Sequence, residues 1–384
     1  MAINNEQNKL NVPHLRFPEF QGEWCINALG NLTDGIGDGI HATPIYDDNG
    51  SYYFINGNNL SESGINISAV TKRVSKEEAY KNNAAILNNR TILLSINGTI
   101  GNIALYNNEP IMLGKSACYI NVFPHINKHY VYHYLQTNKC QTYFASELTG
   151  TTIKNLSLQS VRNTRIGLPL INEQNRIAKL FDDIDERIAT QSKLIEELKK
   201  LKSAISESLF KDTKGDVVTL SEVCEIIKGK QINGEFLSDK GKYHVMNGGT
   251  EPSGYYSHYN VEANSISISE GGNSCGYVHF NTSPFWSGGH CYTIQEIADN
   301  VDNLYLYHFL KSKEDAIMKL RIGSGLPNIQ KKDLAMFKIK IPTVEQQKAI
   351  STFLSSLERK AEIEERIQNA MQKEKQYLLR QMFI

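Results

Sequence analysis

The chain has 384 residues, 40% hydrophobic and 21% charged, which fits two to three water-soluble domains, each large enough for its own core. Its 41 basic residues balance 41 acidic ones, which argues against a sequence-blind nucleic-acid binder. Six cysteines (Cys25, Cys118, Cys140, Cys224, Cys275 and Cys291) stand far apart without a C-x-x-C pair, which argues against a disulfide scaffold or zinc ribbon and for free thiols in a reducing cytoplasm.

In chain order, the polar start Met1–Lys9 predicts no secretion signal, and no segment has the roughly 18 apolar residues of a membrane span. A cytoplasmic protein without a membrane partner is expected. Residues 1–19 form an N-terminal segment, and residues 20–169 a first module of short strands and Gly/Asn turns. Strands are predicted at Ser51–Ile55, Thr91–Ser95 and Ala117–Val122, and a short helix over Lys128–Gln141. Residues 170–215 hold a long helix, with Asn172 as its expected N-cap. Its apolar residues Ile177, Phe181, Ile184, Ile188, Ile195, Leu198, Ile205 and Leu209 follow a heptad seam, with Gln191 and Lys202 filling the gaps. Those two either fix register or face a docked subunit. A helix of this length spans roughly 55–60 Å.

Residues 216–342 form a second module, with strands predicted at Ser265–Ser269 and His290–Ile294 and a helix over Asn303–Leu320. Residues 343–384 hold a second long helix, with a rougher seam drawn through Phe353, Leu357, Ile363, Ile367, Ala370 and Tyr377.

The two halves repeat each other at an offset of about 172–175 residues. Tyr130–Leu135 resembles Tyr305–Leu310, and Cys118-Tyr119 matches Cys291-Tyr292. Ser95–Gly101 resembles Ser269–Gly276, Pro169 with Glu173-Gln174 recurs as Pro342 with Glu345-Gln346, and Phe181 falls opposite Phe353. The fold expected is α+β: two similar mixed α/β domains separated by two long helices in an antiparallel coiled coil, with an internal pseudo-twofold duplication.

Chemistry is expected to be absent. The sequence carries no H-E-x-x-H, G-x-S-x-G, Walker or Asn-Pro-Pro-Tyr/Phe motif. Gly37-Asp-Gly39 and Gly271–Ser274 lack the features of nucleotide loops and read instead as DNA-facing loops or plain turns. Candidate DNA contacts in the first module are Lys72, Arg73, Arg90, Asn97, Lys115, Lys154, Arg162 and Arg165. In the second they are Lys228, Lys230, Lys242, Asn247, Asn273, Arg321, Asn328, Lys331 and Lys332. Arg and Asn can pair bidentately with guanine and adenine edges, whereas Lys mostly neutralises phosphate. Within residues 319–340, six basic residues face one acid, Asp333.

Pro13–Trp24, the runs 168–177 and 341–350, and the turns Ser95–Gly101 and Gly323–Ile329 together resemble the specificity subunit of type I restriction–modification systems. The resemblance covers nearly the whole chain. It implies two target recognition domains that read a bipartite, asymmetric sequence in double-stranded DNA. It implies two docked modification subunits that methylate adenine N6 with S-adenosylmethionine, and optionally two restriction subunits using ATP and Mg2+. This chain would bind no cofactor itself and would not be an enzyme. A specificity subunit serving a fused restriction–methylation enzyme is a near variant. Two other readings stay open: a homodimeric coiled-coil scaffold with a non-DNA target, and a stand-alone nuclease or methyltransferase.

Overall fold

The computed structural model describes residues 11–82, 84–150, 154–323, 325 and 327–384. The polar start Met1–Lys9 and, within the turn 323–329, Ser324 and Leu326 therefore lie outside the described residues. The chain forms two mixed α/β domains and two long helices, Ile171–Asp212 and Val344–Met382, that contact each other. Contacts divide it into a first unit, up to Ser192 plus Ile367–Ile384, and a second unit, Lys193–Arg366. Each unit therefore contains part of both long helices.

The first unit is built on a four-stranded antiparallel sheet in the order Thr33–Asp38, Ala117–Val122, Thr91–Ser95, Ile103–Leu105. Its strand Thr91–Ser95 is buried at every position, as a central strand rich in Ile and Leu should be. Cys25–Ala28 pairs with Arg165–Leu168. A three-stranded sheet orders Arg73–Val74, Tyr52–Ile55, Ile111–Leu113, the last pair parallel. The second unit has the same plan. Glu225–Lys228, Cys291–Gln295, Ser265–Ser269 and Val278–Asn281 form the four-stranded sheet, and Asp216–Thr219 pairs with Lys338–Ile341. Tyr255–Tyr256, Tyr243–Met246 and Trp286–Ser287 form the three-stranded one, again with its last pair parallel.

Hydrogen bonds repeat with the strands. Asn127 caps the helix Lys128–Leu135 by accepting from the Tyr130 N–H at 3.0 Å, and Asp302 caps Asn303–Ser312 by accepting from the Tyr305 N–H at 2.7 Å. Gln174 donates to the Pro169 carbonyl and accepts from the Asn127 N–H; Gln347 donates to the Pro342 carbonyl and accepts from the Asp302 N–H. The Tyr130 hydroxyl donates to the Gly167 carbonyl, and the Tyr305 hydroxyl to that of Lys340.

These bonds correct the sequence register by one residue. Gln174 corresponds to Gln347, not Gln346, and fully buried Phe181 corresponds to fully buried Leu354, not Phe353. One residue turns a helix by about 100°, enough to carry a seam position onto the flank. Along the second helix, Phe353 (46% exposed), Ile363 (46%), Ile367 (40%), Tyr377 (52%) and Ala370 accordingly lie outside, and only Leu357 of the expected row is half-buried. The covered row runs instead through Gln347, Ser351, Leu354, Glu358, Ala361, Glu365, Gln368, Met371, Lys375, Leu379 and Met382. Along the first helix, Ile177, Phe181 and Ile195 are buried, and Ile184, Ile188, Leu198, Ile205, Leu209, Gln191 and Lys202 half-buried. That helix begins at Ile171, so Asn172 is an exposed first-turn residue rather than the N-cap.

Within the first unit Asp185 meets Lys375 at 2.7 Å, and Ser192 meets Gln368. Within the second, Lys199 meets Glu365 and Lys202 meets Glu358, both at 2.6 Å. Partner numbers fall as residue numbers rise in both units, so the helices run antiparallel. Each unit's core takes an aromatic from a helix end. Phe383 packs on Tyr130, Tyr134 and Phe181, and Phe210 on Tyr305 and Phe309, at centroid distances of 5.3–5.7 Å. The expected single helices break in two, giving Lys128–Leu135 with Asn138–Ser146, and Asn303–Ser312 with Glu314–Met318.

Candidate nucleic-acid interface

All but two of the predicted contact residues, Lys115 and Arg165, fall into three groups. The first is structural. Arg90 pairs with Asp34 at 2.7 Å and donates to the Val122 carbonyl at 2.8 Å. Arg162 donates to the Ile36 carbonyl at 2.6 Å, and Asn247 accepts from the His290 N–H at 3.0 Å. Lys228 meets Glu270, a buried carboxylate that also accepts from the Tyr292 hydroxyl. Neutralised or bonded in this way, these side chains hold strands and turns together. The basic run 319–340 is reduced for the same reason, because Lys340 reaches the Phe210 and Lys211 carbonyls and caps the first long helix. Gly37 is likewise no phosphate cradle: it lies in a paired strand, where a Cβ would come within 2.6 Å of the Tyr119 hydroxyl oxygen.

The second group sits at a turn built alike in both units. Gly98 and Gly101 (φ +76° and +91°) match Gly272 and Gly276 (φ +78° and +95°), conformations open to glycine. Asn97 bridges Asn155 beside Thr149, as Gly271 bridges Asn328 beside Ile322. Exposed Lys154 adjoins this crossing in the first unit; exposed Asn273, Arg321, Asn328, Lys331 and Lys332 lie in or close to it along the second chain segment. Lys115, on the turn between Leu113 and Ala117, and Arg165, opening its strand, are exposed elsewhere in the first unit.

The third group lies on the three-stranded sheets, together with residues the sequence reading missed. The Lys72 ammonium sits 4.3 Å from the Tyr46 ring centroid, the Arg73 guanidinium 4.8 Å from that of Tyr53, and Lys76 5.6 Å from that of Tyr80. Arg73 also donates to the Tyr53 hydroxyl at 3.0 Å. In the second unit Lys242 lies 5.0 Å from the Tyr243 ring, which packs on Tyr259, while Tyr256 packs edge-on against Trp286. The Trp286 indole N–H donates to the carbonyl of exposed Lys230 at 3.0 Å. The signal overlooked was the pair of Tyr-Tyr steps, Tyr52-Tyr53 and Tyr255-Tyr256, each near lysines. Among the described residues no cluster of three or more His, Cys, Asp or Glu is arranged to hold a metal ion, and no helix is long and apolar enough to cross a membrane.

Comparison with known proteins decides the family. The model of the type I restriction modification DNA specificity domain matches twice, over residues 29–200 and 213–373. The chain belongs to this family. Membership assigns it to DNA recognition in type I restriction–modification, as a non-catalytic specificity subunit. The chain is 24% identical to a putative type I restriction enzyme MjaX specificity subunit of Methanocaldococcus jannaschii, across 94% of this chain and 93% of that one. It is 24% identical to the MjaVIII specificity subunit of the same organism, across 99% and 96%. Its fold matches the S subunit of the M. genitalium type I restriction-modification system with a TM-score of 0.66 and 20% identity, over 97% of this chain and 99% of that one.

Proposed function

We propose that this chain recognises a bipartite, asymmetric sequence in double-stranded DNA, one half-site per unit, and directs adenine-N6 methylation or restriction by partner subunits. The observation that carries the reading is one strand order built twice with different side chains on equivalent sheets. A duplicated frame with unlike surfaces suits two related but distinct targets. Two modification subunits would bind S-adenosylmethionine, and two optional restriction subunits would use ATP and Mg2+. Residues 20–169 and 216–342 would be the two target recognition domains, and the antiparallel helices would set the length of the unread gap. Pairing of the helices within one chain favours this over a coiled-coil homodimer.

The test is to assemble the chain with its modification subunit, add S-adenosylmethionine, and map methylated adenines on genomic DNA. One split motif with two short, unlike halves and a constant gap is expected. No methylation by an assembled complex, whose modification subunit is active with another specificity subunit, would contradict the reading.

A further inference from the structure

Resting on that reading, we infer that the first two strands of each three-stranded sheet as ordered above, Arg73–Val74 with Tyr52–Ile55 and Tyr255–Tyr256 with Tyr243–Met246, together with the residues flanking them, are the base-reading element. In the first unit Lys72 and Arg73 determine the half-site; in the second, Lys242 and Tyr259 do.

The argument begins with a comparison inside the chain. Parts that are alike in both units cannot tell two different half-sites apart. The positive-φ glycines and crossing bridges shared by the turns Ser95–Gly101 and Ser269–Gly276 serve the frame or sequence-independent phosphate contact, so a distinction between half-sites must come from side chains that differ. The three-stranded sheets share strand order and parallel pairing but not side chains. Exposed Arg73, with Lys72 just before it, gives the strand Arg73–Val74 a cationic margin, whereas Tyr255–Tyr256 presents rings.

Three further observations fit contact with base edges. Four of the six cation–ring pairs among the described residues involve these sheets and the segments beside them. A cation resting on a ring is held near one position, so less side-chain freedom is lost on binding. Large apolar side chains stand exposed beside the same strands: Ile45 at 76%, Val70 at 89% and Phe236 at 64%. Such groups suit contact with thymine methyls. Each of these strands is bordered on its far side by a short segment, Tyr46-Asp47 against Arg73–Val74 and Ser238 against Tyr255, so the sheet margin is a narrow β-ribbon with a bordering loop, of a size the major groove admits. Lys72, just before the strand, and Arg73, opening it, rest on different rings, Tyr46 and Tyr53, so two donors are held side by side at this margin.

The test uses the full complex and the methylation map. Arg73→Ala and Lys72→Ala are expected to relax at least one position of one half-site, with discrimination there falling about tenfold or more, while the other half and the gap stay fixed. Lys242→Ala and Tyr259→Ala are expected to relax the other half. Arg73→Lys keeps the charge but loses the planar fork, and is expected to relax the same position as Arg73→Ala. Lys139→Ala removes an exposed charge from a helix of the first unit and is expected to leave the motif unchanged. Thermal melts matching the parent check that each variant is folded. If the parent methylates a split motif and all four sheet variants preserve both halves, this inference is overturned while the specificity reading stands. If Lys139→Ala relaxes the same position as Arg73→Ala, the inference also fails. A parent complex with no split motif overturns the reading beneath it.

Discussion

In the first unit Lys375, its side chain 4% exposed, lies 2.7 Å from Asp185 and 3.3 Å from Glu62. His133, fully buried, stands 2.8 Å from Asp182, which His129 also meets. In the second unit the equivalent contact is Lys202 with Glu358, at 2.6 Å and with side chains 23% and 31% exposed. There Glu358 also accepts from the Tyr307 hydroxyl, and His308 faces Ser355 instead of an aspartate. One plan thus places a lysine–carboxylate contact between the helices in both units, with its direction reversed. The units differ in burial and in the histidine's partner. Burial opposes ionisation of Asp182, but the hydrogen bonds from His129 and His133 more than offset it and hold the carboxyl well below its ordinary range. The difference teaches that the frame dictates where a polar contact falls, while local exposure dictates its worth.

The largest expected effects test what the units share. Phe383→Ala and Phe210→Ala each remove a buried aromatic from one core, 6% and 2% exposed, and should cost about 3–5 kcal/mol. Hydrogen exchange read by peptide should place the first loss in the first unit and the second in the second unit. Protection lost equally everywhere by either variant would break the equivalence.

Lys375→Ala should follow at about 2 kcal/mol, since it empties a site whose side chain is 4% exposed, while its carboxylate partners, 29% and 61% exposed, regain water. Lys202→Ala should cost about 1 kcal/mol, because water reaches both partners. Equal losses would show that burial is not what separates the two contacts.

Burial lowers the pKa of the core histidine in both units, His133 in the first and His308 in the second, so a pH effect of the same sign is expected in each. Burial lowers the His308 pKa to about 4, with Glu358 raising and Lys202 lowering it to lesser degrees. The unfolded chain, with histidine near 6.5, therefore binds the extra proton first, and the second unit should lose stability as pH falls from about 6.5 to 4. The loss is of order 2–3 kcal/mol, is absent above pH 7, and should shrink in His308→Gln. The Glu358 carboxyl lies below its usual range, lowered chiefly by its hydrogen bond from Lys202 against the effect of burial. Its contribution is present above about 4.5 and is lost only at lower pH, so the two windows separate in a pH series of urea melts.

Much of this fold was legible in the sequence. The strands Thr91–Ser95, Ala117–Val122 and Ser265–Ser269 form at the predicted bounds, because runs of Ile, Leu and Val leave few alternatives. The second helix was misread because its covered row is polar in the middle, at Glu358, Glu365 and Gln368, while apolar Phe353, Ile363 and Ile367 point outward. A pattern search follows apolar residues and slips one position; the Gln347 hydrogen bonds reveal the true phase. The candidate interface was half legible. Charge singled out Lys72, Arg73 and Lys242, but could not separate them from Arg90 or Arg162, whose partners come from strands distant in sequence. Tyr46, Tyr53, Tyr259 and Trp286 carry no charge, so a search by charge does not single them out.

The most direct test of the central claim, that one frame carries two independent readers, is to replace residues 216–342 with a second copy of the first domain, residues 20–169, and map methylation by the assembled complex. The account expects the asymmetric motif to become two copies of the first half-site. A motif that keeps its original second half after that replacement would contradict it.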